Sequence, residues 1–257
     1  IFFLLLKASV YFFNFIRFYI RLFVAAKVRL TGISTKKSAI FDLALDPLIY
    51  PLMLEEQLSE DTRNILGLQL PTDPRWVDLA GKSIEEILTD HAYCEQKAAT
   101  TCISLIQRYS EREKLVKELA PIVTEEWGHF RLVLQELEKR NLKLGKQRKD
   151  EYVNKLIEFQ KQGGSVESRM LDQLLTMALI EARSCERFKR LSEGLNDEYL
   201  QNFYRRFMES EAGHYTLFIE LSETYIDKEK VRKRWAEWLK YEADVINHLE
   251  VRGDRIH

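Results

Sequence analysis

Glycine and proline are scarce in this sequence, which has 10 glycines and 5 prolines among 257 residues. Turn-rich folds need more of both, so this scarcity, together with abundant Glu, Lys, Leu and Arg, favours helices over most of the chain. Cysteine is also rare: Cys94, Cys102 and Cys185 are an odd number and have no Cys-x-x-Cys spacing. This usage argues against a disulfide framework and indicates a reducing, cytoplasmic location.

Acidic residues are absent from residues 1–41, which carry seven basic ones. Residues 1–26 are strongly apolar, but Lys7, Arg17 and Arg21 interrupt them, so no uncharged run reaches the roughly 18 residues that a transmembrane helix needs. These basic residues would instead form a narrow stripe on an apolar helix. We therefore predict an N-terminal extension that is a membrane-contacting interfacial helix, an organelle-targeting presequence or an erroneous upstream addition.

The remaining residues, 42–257, are the predicted functional domain, and they contain 32 basic and 40 acidic residues. A domain with a net negative charge is not typical of a nucleic-acid-binding protein. Carboxylates that bind a metal ion are neutralised locally, however, and have to be discounted from this balance. Composition therefore neither supports nor excludes an RNA partner.

Apolar periodicity and helix-boundary signals predict four long helices in this body. Four of the five prolines fall within 42–82, which indicates an irregular lead-in with at most short helices. Ser83 and Glu86 have the spacing of a capping box, in which both side chains bond free amides at a helix start. A long central crossover, 141–166, separates two helix pairs, so the expected fold is an all-α ferritin-like four-helix bundle with extra terminal helices. The predicted long helices are 84–108, 111–140, 166–193 and 196–225, with a short helix at 150–161 and a terminal helix at 228–250.

The pattern Glu-x-Gly-His-aromatic occurs twice, starting at Glu126 and at Glu211, 85 residues apart. Residues three apart on a helix differ by about 60° in direction, so each Glu and the His that follows it, His129 or His214, project from one face. The glycine between them leaves room beside a bound metal. The repeat therefore predicts two equivalent halves of a metal site.

Each motif has a further glutamate on the preceding predicted helix: Glu95 lies 31 residues before Glu126, and Glu181 lies 30 residues before Glu211. In two antiparallel helical hairpins this spacing brings all six side chains to one level of the bundle, as in carboxylate-bridged di-iron centres. Hard carboxylates with two imidazoles suit iron or manganese better than zinc. The predicted cofactor is a pair of iron ions, held by Glu95, Glu126, His129, Glu181, Glu211 and His214.

Two positions near this predicted site have alternatives. Glu186 is the alternative to Glu181 as the metal ligand on the third predicted helix. Glu181 is preferred because it follows an apolar run, in which a carboxylate needs a partner such as a metal ion. Glu186 is then expected to face solvent or to pair with an arginine. His91 is expected to be a hydrogen-bonded core histidine, with contact to a metal ligand as the alternative. Cys102 and Cys185 are expected to be small core residues.

Three segments of the chain, 90–99, 180–188 and 209–215, resemble the bacterial tRNA hydroxylase family known as MiaE. The resemblance covers roughly residues 65–225. It is more specific than the metal pattern, because ferritins and rubrerythrins lack the Glu-Ala-Arg-Ser-Cys-Glu-Arg stretch. It implies the same six iron ligands and hydroxylation of the isopentenyl group of a 2-methylthio-isopentenyl adenosine beside the tRNA anticodon. It also implies O2 as co-substrate and an external electron donor such as a ferredoxin and reductase system.

A tRNA partner needs cations that contact its phosphates. The richest basic run follows the second predicted helix, and the alternative for it is an ordinary solvated loop. Two arginines on the third predicted helix are further candidates, with ion pairing to Glu186 or Asp172 as the alternative. The predicted RNA contacts are Lys143, Lys146, Arg148, Lys149, Arg183 and Arg187.

Two other functions fit the same ligand pattern. One is a ferritin-like protein that oxidises or stores iron, for which storage normally requires a large hollow assembly. The other is a di-iron oxygenase of a lipid or another small molecule, which the apolar N-terminal residues would suit. The prediction of a tRNA substrate depends on the family resemblance, whereas that of a di-metal site depends only on spacing.

Overall fold

In a computed structural model of the protein, residues 66–257 are described, and they belong to one compact unit, Arg63–His257. The predicted N-terminal extension and most of the proline-rich lead-in lie outside the described residues. Within them, all regular secondary structure is helical. The helices are α1 Arg75–Lys82, α2 Ile84–Arg108, α3 Glu113–Lys139, α4 Glu151–Phe159, α5 Val166–Gly194, α6 Glu198–Tyr225 and α7 Lys228–His248.

Capping side chains set the start of four of these helices. In each, an Asp or Ser oxygen accepts a hydrogen bond from the backbone N–H three residues further on. This bond satisfies a donor that has no partner within the helix. The capping residues are Asp150 for α4, Ser165 for α5, Asp197 for α6 and Asp227 for α7.

The predicted capping box at Ser83 is wrong. Ser83 alone separates α1 from α2, its hydroxyl makes no capping hydrogen bond, and its backbone N–H bonds Ala80 O at 3.0 Å. Its ψ of 41° differs from the extended conformation that a capping serine adopts. The residue closes α1, and this role prevents it from capping α2.

α3 ends at Lys139, within one residue of the predicted end at 140, and Asn141 closes its last turn. The φ of Asn141 is 56°, in the left-handed region that asparagine tolerates better than most residues. Two backbone bonds close the last turn in the Schellman pattern: Asn141 N–H to Glu138 O and Leu142 N–H to Leu137 O, both 2.9 Å. The chain then leaves the bundle for the crossover.

Two hairpins, α2 with α3 and α5 with α6, form the four-helix bundle. α3 and α6 also contact each other, whereas α2 and α5 make few direct contacts. The crossover helix α4 packs against α5, and the terminal helix α7 packs against both. This arrangement confirms the predicted all-α, ferritin-like bundle with a long crossover between its two halves.

Apolar side chains fill the bundle in two layers, with a polar level between them. On α2, for example, Glu95 lies between Ala92 of one layer and Cys102 of the other. On α3, Glu126 likewise lies between Ile122 and Phe130. Because hairpin neighbours run in opposite directions, these positions meet at one height of the bundle.

Within residues 66–257 no helix combines the length and the apolar character needed to cross a membrane. The predicted membrane contact through residues 1–26 lies outside the described part of the chain. It remains a prediction.

Candidate metal centre

Four glutamates and two histidines from the four bundle helices meet at the polar level. Their ligand atoms form two groups, and within each group all of them lie within 4.8 Å of one another. Glu126 and Glu211 belong to both groups, so their carboxylates are placed to bridge two ions. The groups are Glu95, Glu126, His129 and Glu211, and Glu126, Glu181, Glu211 and His214.

Each histidine directs Nδ1 at a carboxylate of its own helix and at one of a neighbouring helix. His214 Nδ1 lies 3.3 Å from Glu211 Oε2 and 2.8 Å from Glu126 Oε1. His129 Nδ1 lies 3.5 Å from Glu126 Oε2 and 3.3 Å from Glu95 Oε2. The six side chains predicted as metal ligands therefore lie together at one level of the bundle, and all four helices contribute to them.

The burial of these groups requires a compensating partner. The four glutamates are at most 3% exposed. Glu181 Oε1 is buried with no hydrogen-bond partner among the described residues, and neither oxygen of Glu126 has a well-directed one. Burying ionisable groups without partners costs several kcal/mol. Two divalent cations would satisfy them, and an oxygen-rich donor set with two imidazoles suits iron or manganese.

Burial and like charge perturb the pKa values of this cluster. Burial, followed by the charge of neighbouring carboxylates, raises the pKa of Glu95 and of Glu181 well above the usual range. Burial also acts to raise the pKa of Glu126, but contacts with two histidines outweigh it, so this pKa is lowered. The pKa of His214 is raised to about 11, because its contacts with two carboxylates outweigh the effect of burial. Cations that bind here must therefore displace protons.

His91 is fully buried and lies 2.7 Å, Nε2 to Oε1, from Glu95. Its ring packs against Phe188, Tyr204 and Phe207. Burial lowers the pKa of His91 well below the usual range, so the neutral imidazole donates Nε2–H to the carboxylate. His91 is therefore the hydrogen-bonded core histidine that was expected, and the carboxylate that it contacts belongs to Glu95, one of the predicted metal ligands.

Glu125, which sequence reasoning missed, contacts both histidines of the centre from the outer side. Its Oε2 lies 3.4 Å from His214 Nε2, and its Oε1 lies 3.9 Å from His129 Nε2. The Ser210 hydroxyl donates to Glu125 Oε1 at 2.6 Å and holds the carboxylate in place. A carboxylate at the second ring nitrogen is a common way to orient a metal-bound histidine. In the sequence, nothing distinguishes this residue from an ordinary exposed glutamate.

We expect Glu125→Gln to weaken metal binding or turnover about tenfold, the lower end of the effects seen for outer partners of metal-bound histidines. The glutamine keeps the size of the side chain but not the charge that faces both imidazoles. Metal titration of the purified variant measures the effect, with Glu118→Gln on the same helix as the control. A variant that binds metal and turns over like the parent protein would remove Glu125 from this role.

Glu186, the other candidate on α5, belongs to neither ligand group. Its carboxylate oxygens lie 3.2 Å from Arg183 Nη1 and 3.1 Å from Arg190 Nε. This is the arginine pairing expected for it. Cys102 and Cys185 are buried free cysteines in the apolar core, also as expected.

Gly128 and Gly213, the glycines between each Glu and His, face open space. Apart from the adjacent residues and the backbone of the same helix, a Cβ placed on either glycine meets no atom within 4 Å. The protein itself therefore does not require glycine at these two positions. The space beside the motifs is available to another molecule.

We expect Gly128→Ala and Gly213→Ala each to raise the free energy of unfolding by about 0.5–1 kcal/mol, because alanine favours a helix interior over glycine. Chemical denaturation measures the change. If activity falls while metal content is kept, the open space serves a substrate or a partner. A loss of stability would contradict the open geometry.

A cavity of about 60 Å³ opens on the four metal-site glutamates. Its walls belong mainly to α2 and α5, and His257 adds a polar side chain. The space is large enough for a small molecule such as O2 beside the predicted metal ligands. The apolar part of the lining consists of Ala98, Val153, Met177 and Ile180.

The predicted RNA contacts in the loop between α3 and α4 lie at the surface. Lys143, Lys146 and Lys149 are exposed. Arg148 is half-buried, and its guanidinium donates to Asp254 at 2.9 Å. The three exposed lysines of the loop therefore remain candidates for RNA contacts. Arg148 instead ties the loop to Asp254, in the segment that follows α7.

Arg183 and Arg187 do not form a cationic surface. The Arg183 side chain is fully buried, and its Nη2 lies 2.6 Å from Glu242 Oε1 on α7. Arg187 donates to Ile256 O and lies over the Trp76 ring at 4.9 Å. Burial lowers the pKa of Arg187 to about 10. Their assignment as RNA contacts is therefore corrected: α7 and the following segment cover this part of α5.

The chain resembles known proteins along most of its length. A curated protein from Pseudomonas putida, named tRNA 2-(methylsulfanyl)-N(6)-isopentenyladenosine(37) hydroxylase, is 34% identical over 166 residues, which are 65% of this chain and 80% of that protein. The protein of the same name from Salmonella typhimurium is 27% identical over 228 residues, with 70% of this chain and 83% of that protein covered.

A solved structure shares the fold. It is described as Protein 43 with aldehyde deformylating oxygenase activity from Synechococcus, and it matches with a TM-score of 0.70 and 33% identity over 74% of this chain and 94% of that chain. The sequence model of the family described as tRNA-(MS2IO6A)-hydroxylase (MiaE) matches residues 58–257. This match confirms the resemblance seen in the sequence, and the chain belongs to the MiaE family.

Proposed function

We propose that this protein hydroxylates the isopentenyl group of a 2-methylthio-isopentenyl adenosine in tRNA. The observation that carries the proposal is the pair of ligand groups that share Glu126 and Glu211, in a chain of the MiaE family. In the reaction, a substrate C–H bond, O2, two electrons and two protons give an alcohol and water. The electrons come from an external donor, such as a ferredoxin and its reductase. Two iron ions held by the six ligands would supply the activation of O2.

The chain's own residues hold, orient and shield this centre. His91 and Glu125 fix the directions of a carboxylate and of two imidazoles, so the ligands are positioned before the metal binds. The apolar layers on both sides of the polar level exclude water, which protects a reactive oxidant from side reactions. The reaction requires no nucleophile or general base from the protein.

The loop between α3 and α4 supports a tRNA surface beside the cavity. Gly145 O in this loop accepts the Tyr93 hydroxyl proton of α2 at 2.9 Å. The loop ends at Asp150, which Lys97 of the cavity wall contacts at 2.7 Å. The loop therefore runs along α2 to the edge of the cavity. Its exposed cations are Lys143, Lys146 and Lys149.

Replacing all three of these lysines with alanine is expected to weaken tRNA binding about tenfold or more. The slope of the logarithm of the binding constant against the logarithm of the salt concentration should become shallower by about 0.7–0.9 for each phosphate contact that is lost. Filter binding at several salt concentrations measures both effects. The matched control replaces three exposed lysines of α7, Lys228, Lys233 and Lys240. Unchanged affinity and slope in the loop variant would identify an ordinary solvated loop.

Nucleoside mass spectrometry tests the proposed reaction. Isopentenyl-modified tRNA is incubated with O2 and the iron-loaded, chemically reduced protein. A singly oxygenated nucleoside that forms only with the loaded protein supports the proposal. Unchanged tRNA with rapid iron oxidation would favour a ferritin-like iron-oxidising protein. Unchanged tRNA with O2 consumption that depends on a lipid or another small molecule would favour an oxygenase of that substrate.

A further inference from the structure

A surface groove of about 340 Å³ adjoins the cavity that opens on the metal-site glutamates. It lies between α2 and α5, which make few direct contacts, and α4 covers one side. Four residues line both spaces and separate them, and we call this set the neck. The neck consists of Thr101, Val153, Met177 and Ile180.

The cavity behind the neck has the size of a five-carbon group. A water-sized group needs about 10–15 Å³ on this measure of volume. The 60 Å³ of the cavity therefore accommodates roughly four to six such groups, and an isopentenyl group has five carbons. The surface exposed to the cavity is mainly apolar, which favours an apolar ligand.

The groove before the neck has the chemistry of a nucleobase site. Its volume falls within the range of about 300–1,000 Å³ that is common for small-molecule sites. Leu105 and Ile157 give it an apolar wall, and the Ile157 side chain is 47% exposed. Gln160, Gln173 and Arg108 add amide and guanidinium groups, which hydrogen-bond purine edges.

We propose that the groove binds the base of an N6-prenylated adenosine and that the neck admits its five-carbon group into the cavity. The choice of an N6-prenylated adenosine as the ligand rests on the proposed function. The base leaves its stack in the RNA to enter the groove, as for other enzymes that act on single bases. The α3–α4 loop, which carries the exposed lysines, leads directly into α4, and α4 contributes Val153 to the neck and Ile157 to the groove.

Equilibrium dialysis of two free nucleosides, N6-isopentenyladenosine and adenosine, tests this inference on the iron-loaded protein without reductant. The parent protein is expected to bind the prenylated nucleoside about tenfold more tightly or better, because the apolar group is buried. Val153→Trp fills the neck and is expected to abolish this preference. Asn154→Trp, the next residue of α4, lines neither space and serves as the matched control.

A second variant keeps the test valid if Val153→Trp fails to fold. Ile157→Ala removes a wall of the groove alone, so both nucleosides are expected to bind more weakly with the preference kept. The control is Ile103→Ala, an exposed isoleucine of α2 that lines neither space. If a variant and its control lose the same amount of nucleoside affinity, the inference is overturned.

Equal affinity of the parent protein for both nucleosides would also overturn it. Because binding is measured without turnover, this outcome is separate from failure of the proposed reaction. Preference for the prenylated nucleoside with no oxygenated product would reject the reaction and retain the site. Oxygenated product without any preference would retain the reaction and reject the groove.

Discussion

Replacing Glu126 with alanine will abolish hydroxylation and reduce the bound iron from two ions to one or none. Its carboxylate belongs to both ligand groups, so the substitution removes a ligand from each ion. We expect an activity loss of at least about 100-fold, because a direct ligand contributes more than the outer partners whose loss costs up to that amount. Iron analysis of the purified variant and nucleoside mass spectrometry measure the two effects.

The control for this substitution is Glu138→Ala, an exposed glutamate of the same helix. A second comparison uses the two candidates on α5: Glu181→Ala should lose metal, whereas Glu186→Ala should keep both ions. A Glu126→Ala variant that still holds two ions per chain would contradict the bridging role.

Arg183→Met is expected to lower the free energy of unfolding by about 3–5 kcal/mol, because it leaves a buried carboxylate without its partner. Arg183 Nη2 and Glu242 Oε1 lie 2.6 Å apart, and both side chains are fully buried. The guanidinium also donates to Leu70 O at 2.9 Å, a bond that methionine cannot replace. Chemical denaturation measures the loss.

The Arg183→Met and Glu242→Leu double variant should be more stable than Arg183→Met alone, because no buried charge is then unpaired. Arg232→Met, on the exposed surface of α7, is the control and should change stability little. Weaker tRNA binding by Arg183→Met with unchanged stability would contradict the ion-pair account and favour an RNA contact at this position.

That the six predicted metal ligands come together could be predicted from the sequence, because their geometry is largely local. Glu126 and His129 share one helix, and their repeat at Glu211 and His214 lies at the same spacing on another. The 3.6-residue period alone then determines which side chains face the same way. The end of α3, predicted at residue 140 and found at Lys139, was equally predictable.

The contacts that cover α5 could not be predicted, because they join distant parts of the chain. Arg183 Nε donates to Glu242 Oε1 at 2.8 Å across 59 residues, and the Ser184 hydroxyl lies 2.8 Å from His257 Nε2 across 73 residues. Local periodicity carries no information on such pairs. An arginine on α5 that pairs with a buried glutamate therefore looks, in the sequence, like one that faces solvent.

The same limit applies to the partners of the metal ligands. Glu125 reaches a histidine of its own helix and one of α6, so its role depends on how α3 and α6 pack. His91 lies one turn before Glu95, which made the contact conceivable, but its aromatic surroundings come from α5 and α6. Only the packed bundle distinguishes these residues from ordinary polar positions.

Mössbauer spectroscopy of the oxidised, iron-loaded protein tests the central claim that the two ligand groups, which share Glu126 and Glu211, would hold two iron ions side by side. Two bridged ferric ions couple magnetically, so we expect two iron ions per chain and a quadrupole doublet with a diamagnetic ground state at low temperature. A magnetically split spectrum from one isolated high-spin ferric ion per chain would contradict the account.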